Sequence, residues 1–111
     1  MNIMQQYREA HERHPGMLLL FRAGDFYELF DADAEKAAPL LGLALTTRAE
    51  RNGEGCMMAG FPHQDLERKL RLLLKAGHRV AICDPVDATQ PVIGTKVTRV
   101  VTKGLFDEAP G

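Results

Sequence analysis

The sequence predicts a mixed α/β (α+β) fold, with a sheet of about five to six strands flanked by about three helices. Short apolar runs, typical of buried strands, occur at residues 17–22 and 79–83. Between them, apolar residues recur at helical spacing, most clearly at Leu66, Leu70, Leu73 and Leu74. Glycine and proline separate these segments, so strands and helices alternate along the chain.

The first helix is predicted over residues 2–14, because Asn2 can cap its start and a Pro-Gly pair ends it. Its apolar stripe consists of Ile3, Tyr7 and Ala10. His11 and His14 follow at i, i+3 spacing, but no cluster of further metal ligands accompanies them. We therefore expect both histidines to be solvated.

A strand hairpin comes next. Strands at residues 17–22 and 26–30 flank a turn in which Gly24 can adopt a positive φ. Period-two alternation places Phe26 and Glu28 on one face of the second strand. This pair has two interpretations: a core Phe beside a solvated Glu, or an exposed apolar wedge with a hydrogen-bond acceptor beside it.

A second helix is predicted from Asp31, and we expect Pro39 to kink or end it near Ala38. Its packing face consists of Ala34, Ala37, Ala38 and Leu41. A strand at residues 43–47, a charged loop at residues 48–55 and a strand at residues 56–61 follow.

The third helix is predicted to begin at Pro62 and to end before Gly77. Its basic residues are interpreted as an exposed, solvated face rather than a DNA-binding stripe, because Asp65 and Glu67 interrupt them. The remaining strands are predicted at residues 79–83 and 95–102, separated by a loop.

The composition is typical of one soluble globular domain. The 111 residues carry a net charge of −1, with 14 basic and 15 acidic residues, which argues against a strong autonomous nucleic-acid binder. Any DNA contact must therefore come from a local site. The sequence contains neither a membrane span nor a signal peptide, so we expect a cytoplasmic location with Cys56 and Cys83 as unpaired thiols.

Motifs of common enzymes are missing from the sequence. There is no phosphate-binding loop for ATP, and the chain has no serine for a Ser-His-Asp triad. A cysteine–histidine pair stays open, as does a metal-dependent nuclease built on Asp25 and Glu28, although no third acidic ligand has a recognisable spacing. We expect a protein that is not an enzyme and that holds no cofactor.

Six short blocks, in this order and at these spacings, resemble the amino-terminal mismatch-recognition domain (domain I) of the bacterial MutS DNA mismatch-repair protein. The blocks are MQQY (4–7), RAGDFYELF (22–30), LTTR (45–48), MAGFP (58–62), VAIC (80–83) and TRVVTKG (98–104). The resemblance implies one such domain over residues 1–104, and we expect residues 105–111 to form a flexible tail. It also implies double-stranded DNA with mismatches or small bulges as the partner, and other mismatch-repair proteins as further partners.

Phe26 and Glu28 match the Phe-x-Glu motif of that family, whose Phe stacks on a mispaired base and whose Glu hydrogen-bonds it. The resemblance thus implies Phe26 and Glu28 as DNA-binding residues, and we add Arg48 and Arg51 as further DNA contacts. An apolar wedge unstacks a base step and kinks the duplex, which costs least where pairing is already broken.

Two functions remain open on the sequence alone. The first is a DNA-binding module that recognises mispaired or distorted duplex. The second is a protein-interaction module of the same fold, which docks onto repair proteins through a sheet edge or the basic helix. The chain is either an excised domain or a free-standing small protein, because the connector, core, clamp and ATPase domains of a whole MutS protein are not in it.

Overall fold

The helices and strands of the chain follow the predicted alternating order. The computed structural model describes residues 3–49, 55–86 and 95–103, with only the backbone of Ile3, Arg48 and Ala49. The helices are α1 (Ile3–Arg13), α2 (Asp31–Leu41) and α3 (Leu66–Lys75). The strands are β1 (Met17–Ala23), β2 (Phe26–Phe30), β3 (Thr46–Ala49), β4 (Gly55–Pro62), β5 (Arg79–Pro85) and β6 (Thr95–Val101). The predicted α+β fold, a mixed sheet with three helices, is confirmed.

The strands form one six-stranded sheet in the order β3-β4-β2-β1-β5-β6. β1 and β2 form an antiparallel hairpin, and β1 pairs in parallel with β5. The other neighbouring strands are antiparallel. The hairpin therefore occupies the centre of the sheet, where both of its outer edges are paired.

The two faces of the sheet are covered by different helices. On one face, Tyr27 and Leu29 belong to a core that includes α2 and α3, as the predicted alternation requires. Its buried helix residues are Ala34, Ala37, Ala38, Leu41, Leu70, Leu73 and Leu74. On the other face, α1 contributes Met4 and Tyr7 to a second cluster with Leu19, Phe21, Phe30, Cys56, Ala81 and Cys83. The sequence analysis identified Tyr7 but not Met4.

A buried carboxylate joins α1 to α2 and β1. Asp33 Oδ2 accepts hydrogen bonds from the Tyr7 hydroxyl at 2.9 Å and from the Leu19 amide at 3.2 Å. Burial raises the pKa of Asp33 above its ordinary value, against the opposing effect of these hydrogen bonds. His11 Nε2 lies 3.9 Å from Asp33 Oδ1, and the His11 side chain is only half-exposed. The prediction was a solvated histidine, so this contact with Asp33 was not expected.

The sequence predicted that Pro39 kinks or ends the second helix near Ala38, and an end of the helix at that point is wrong. α2 continues to Leu41 with Pro39 inside it, and Gly42 then ends the helix at a φ of 69°. Pro39 and Glu35, one turn earlier, are both exposed. The carbonyl that loses its partner at a proline therefore lies on the solvent side, where water can bond it.

Several predicted boundaries are also wrong. β3 begins at Thr46 rather than at residue 43, and it extends into the predicted loop through Arg48 and Ala49. Pro62 is the last residue of β4, and a 3₁₀ turn at His63–Asp65 precedes α3. The β-ladder to β2 fixes Pro62 in an extended conformation, so its helix-starting tendency is overridden.

Some predictions lie outside the described residues: the cap at Asn2, most of the loop at residues 48–55, and the tail at residues 105–111. Neither Cys56 nor Cys83 forms a disulfide, as predicted, and both residues are buried. Within the described part of the chain, no helix is both long enough and apolar enough to cross a membrane.

Candidate nucleic-acid interface

The turn between β1 and β2 places Phe26 at one end of the sheet. Gly24 adopts a φ of 59°, which is the left-handed conformation expected of it. Phe26 pairs with Ala23 of β1 and with Pro62 of β4, so it is held from both sides. The His63 amide also donates a 2.8 Å hydrogen bond to the Asp25 carbonyl, which continues the β2–β4 pairing into the turn.

Phe26 and Glu28 share the face of the sheet on which α1 packs, but neither belongs to the cluster beneath α1. The Phe26 side chain is 46% exposed, and Glu28 is half-buried. Phe30 lies on the same face of the same strand and is 0% exposed. Of the two interpretations that the sequence left open, the exposed ring is the one present, and a core phenylalanine is excluded at position 26.

Gly60 of β4 allows these two side chains to lie close to the backbone of the neighbouring strand. It pairs directly with Glu28. A Cβ at this position would lie 3.6 Å from Glu28 Cγ, 3.7 Å from Phe26 Cδ2 and 3.2 Å from the Tyr27 carbonyl oxygen. Phe26 and Glu28 thus lie against the Gly60 backbone, and any side chain at position 60 would crowd both of them. The sequence analysis used Gly60 only as part of a block and missed this role.

Behind Phe26 and Glu28, on the opposite face of β2, Tyr27 is buried in a polar network. Its hydroxyl donates a 3.0 Å hydrogen bond to Asp84 Oδ1, and the Arg22 guanidinium lies 5.6 Å from its ring centroid. Burial, followed by the hydrogen bond to Asp84, raises the pKa of Tyr27, so the phenol stays protonated and acts as the donor. Asp84 and Tyr27 are 57 positions apart, and no local pattern links them.

The two arginines predicted as DNA contacts stay predictions. Arg51 lies outside the described residues, and only the backbone of Arg48 is described. That backbone pairs with Cys56, whereas Glu28 pairs with Gly60, four residues along β4. The Arg48 backbone is therefore about 13 Å along the strand direction from the level of Glu28.

Two of the basic residues on α3, Arg68 and Lys69, have structural partners. Arg68 donates to Asp65 at 2.9 Å, and Lys69 Nζ donates to the Leu41 carbonyl at the end of α2 at 3.0 Å. From β6, Arg99 forms an ion pair with Glu67 at 2.9 Å. These contacts favour the predicted interpretation of the helix as a plain exposed face rather than a DNA-binding stripe.

Two observations concern the metal site and the cysteine nucleophile of the enzymatic alternatives. The described residues contain no group of three or more His, Cys, Asp or Glu side chains placed to hold a metal ion. Burial raises the pKa of the Cys83 thiol to about 12, which makes it a poor nucleophile at neutral pH.

Comparisons with known proteins match nearly the whole chain. The family model of MutS domain I matches residues 1–109. The DNA mismatch repair protein MutS of Salinibacter ruber is 46% identical over 107 residues, covering 93% of this chain and 12% of that relative. The protein of the same name from Rhodopirellula baltica is 46% identical over 110 residues, covering 96% of this chain and 12% of the relative.

This chain thus spans only about an eighth of the length of those relatives. In each relative, the similarity is to a segment of about the length of this chain. The match of the family model extends over nearly the whole chain and includes the hairpin that carries Phe26 and Glu28. The chain belongs to the MutS domain I family.

Proposed function

We propose that the chain is a DNA-binding module of mismatch repair, which stacks Phe26 on a mispaired or bulged base and directs Glu28 at the edge of that base. The observation that carries the proposal is the half-exposed Phe26 ring beside Glu28, on one strand face that α1 leaves open. Membership of the MutS domain I family and relatives named for DNA mismatch repair support it.

The wedge acts through stacking and deformability. Phe26 lies at the first position of β2, next to a tight turn at one end of the sheet, and its half-exposed ring is available to a base step. Insertion costs least where base pairing is already weakened, and this difference provides discrimination without reading base identity.

Glu28 has a different role. A carboxylate near phosphates is repelled, so it weakens binding to intact duplex. It accepts a hydrogen bond when a displaced base presents an N–H group. The net charge of −1 adds little non-specific attraction, so we expect weak affinity, micromolar or weaker, with a preference for distorted duplex.

The test is a fluorescence anisotropy titration with perfect, single-mismatch and single-bulge duplexes, at low and at moderate salt. Phe26→Ala should abolish the preference for mismatched duplex, because it removes about 1–3 kcal/mol of base stacking. Glu28→Gln should tighten binding to perfect duplex, and so reduce the difference in affinity between mismatched and perfect duplex.

Leu72→Ala is the matched control, because Leu72 is a 40% exposed apolar residue on α3, away from the proposed interface. It should leave all affinities as in the parent. If Phe26→Ala binds every duplex as the parent does, the wedge is not at work, and the protein-interaction module becomes the better explanation.

A further inference from the structure

The hydrogen bond from Tyr27 to Asp84 ties β2 to a strand that it does not neighbour. Tyr27 lies between Phe26 and Glu28, and its hydroxyl reaches Asp84 on β5 at 3.0 Å. β1 lies between β2 and β5 in the sheet, so this bond passes over a whole strand, about 10 Å across. We call this contact the Tyr27–Asp84 tie.

The acceptor of the tie is itself held in place. Thr98 of β6 donates from its hydroxyl to Asp84 Oδ2 at 2.5 Å, so both carboxylate oxygens have partners. Tyr27 Oη, Asp84 and Thr98 thus form a continuous chain of contacts across four neighbouring strands. A tyrosine hydroxyl with such a partner has one preferred position rather than several.

The same network reaches the turn before Phe26. Arg22 pairs with Tyr27 in the β1–β2 ladder, and its guanidinium lies over the Tyr27 ring. Its Nε donates to the Gly24 carbonyl at 2.6 Å. Arg22 therefore contacts both the turn at Gly24 and Tyr27, the residue that follows Phe26.

We propose that Tyr27 is a positioning residue for DNA recognition, whose tie to Asp84 fixes the backbone that presents Phe26 and Glu28. This inference rests on the proposed function. Phe26 is 46% exposed, and its ring lies close to Gly60, a β4 residue that has no side chain to hold it. Its position then depends on the β2 backbone, and a pre-ordered wedge loses less freedom on binding.

The chain provides a matched control for the chemistry. The Tyr7 hydroxyl donates to Asp33 Oδ2 at 2.9 Å, which is the same kind of bond at nearly the same length. That bond joins α1 to α2 and lies at the covered end of the sheet face. Tyr7→Phe and Tyr27→Phe therefore remove equivalent hydroxyl groups, only one of which lies behind Phe26.

The experiment measures the ratio of affinities for mismatched and perfect duplex in both variants. It also records the ¹⁹F spectrum of 4-fluorophenylalanine incorporated at position 26 in the parent and in each variant. Tyr27→Phe should lower the ratio about threefold to tenfold, the effect of one net hydrogen bond, and leave affinity for perfect duplex unchanged. It should also shift or broaden the ¹⁹F resonance, whereas Tyr7→Phe should change neither the ratio nor the resonance.

Two results would overturn the proposal. The first is an equal change in the affinity ratio and in the ¹⁹F resonance in Tyr27→Phe and Tyr7→Phe. The second is a Tyr27→Phe variant whose affinities for mismatched and perfect duplex fall by the same factor. Thr98→Val is the second variant in case Tyr27→Phe does not fold, because Thr98 is exposed on the edge strand β6. It should lower the ratio in the same direction, and an unchanged ratio and resonance would contradict the proposal.

Failure of the proposed function gives a different pattern. A parent chain without any preference for mismatched duplex would contradict mismatch recognition itself. The ¹⁹F comparison of Tyr27→Phe with Tyr7→Phe would then still decide whether the tie positions Phe26.

Discussion

Phe26 and Phe30 are the same residue type on the same face of the same strand, yet one is 46% exposed and the other 0% exposed. The Phe30 ring lies 5.7 Å from the Tyr7 ring and 6.1 Å from the Phe21 ring, measured between centroids. Phe26 instead lies beside the turn and close to the Gly60 backbone. The difference comes from α1, which covers only the Phe30 end.

The two ends of β2 therefore have different roles. The covered end supplies apolar burial and aromatic packing, which stabilise the fold. The open end carries a large apolar ring that the core does not use, so the ring is free to contact a partner. One short strand can therefore serve stability and recognition with little conflict between them.

Removing the buried ring should have the largest effect. Phe30→Ala should reduce the free energy of unfolding by about 3–5 kcal/mol, because it leaves a cavity beneath α1. Urea denaturation followed by circular dichroism measures this loss. A loss below about 1 kcal/mol would show that α1 does not rest on Phe30 as described.

A smaller effect on the free energy of unfolding should come from the titration of Asp33, which bonds Tyr7 of α1 near Phe30. The folded-state pKa of Asp33 is raised, so between the unfolded and folded pKa values the folded chain binds more protons than the unfolded one. The unfolding free energy of the parent, compared with that of Asp33→Asn, should therefore increase as the pH falls through the folded-state pKa of Asp33. At pH values above that pKa, this gain in the unfolding free energy should be lost.

Urea denaturation of both proteins between about pH 4 and about pH 7 checks this linkage. The pair is also measured in a His11→Ala background, because the His11 ring lies beside the same carboxylate. A pH-independent difference between parent and Asp33→Asn in both backgrounds would contradict a raised pKa at Asp33.

The smallest effect on stability should come from Phe26→Ala. About half of this ring already faces water, so we expect a change within about 0.5 kcal/mol in the free energy of unfolding. The same urea denaturation measures it beside Phe30→Ala. A loss comparable to that of Phe30→Ala would mean that Phe26 is part of the core in solution, and the division along β2 would not hold.

Helix stripes and strand alternation were predictable because they depend on neighbouring residues. The leucine stripe of α3, the apolar face of α2 and the hairpin turn at Gly24 all follow from local spacing. Boundaries set by pairing partners were not predictable in this way. Pro62 stays in a strand because β2 holds it there, and Pro39 stays in a helix because its solvent-facing position tolerates a missing hydrogen bond.

By itself, the sequence determined that Phe26 and Glu28 share one face of a strand beside a tight turn, since a strand alternates its side chains whatever surrounds it. Only the tertiary structure decided that Phe26 is open and Phe30 covered, since that depends on where α1 packs. It also decided the bonds of Tyr7 to Asp33 and of Tyr27 to Asp84, which span 26 and 57 positions. Contacts at such distances arise from packing of the whole chain, which local periodicity does not specify.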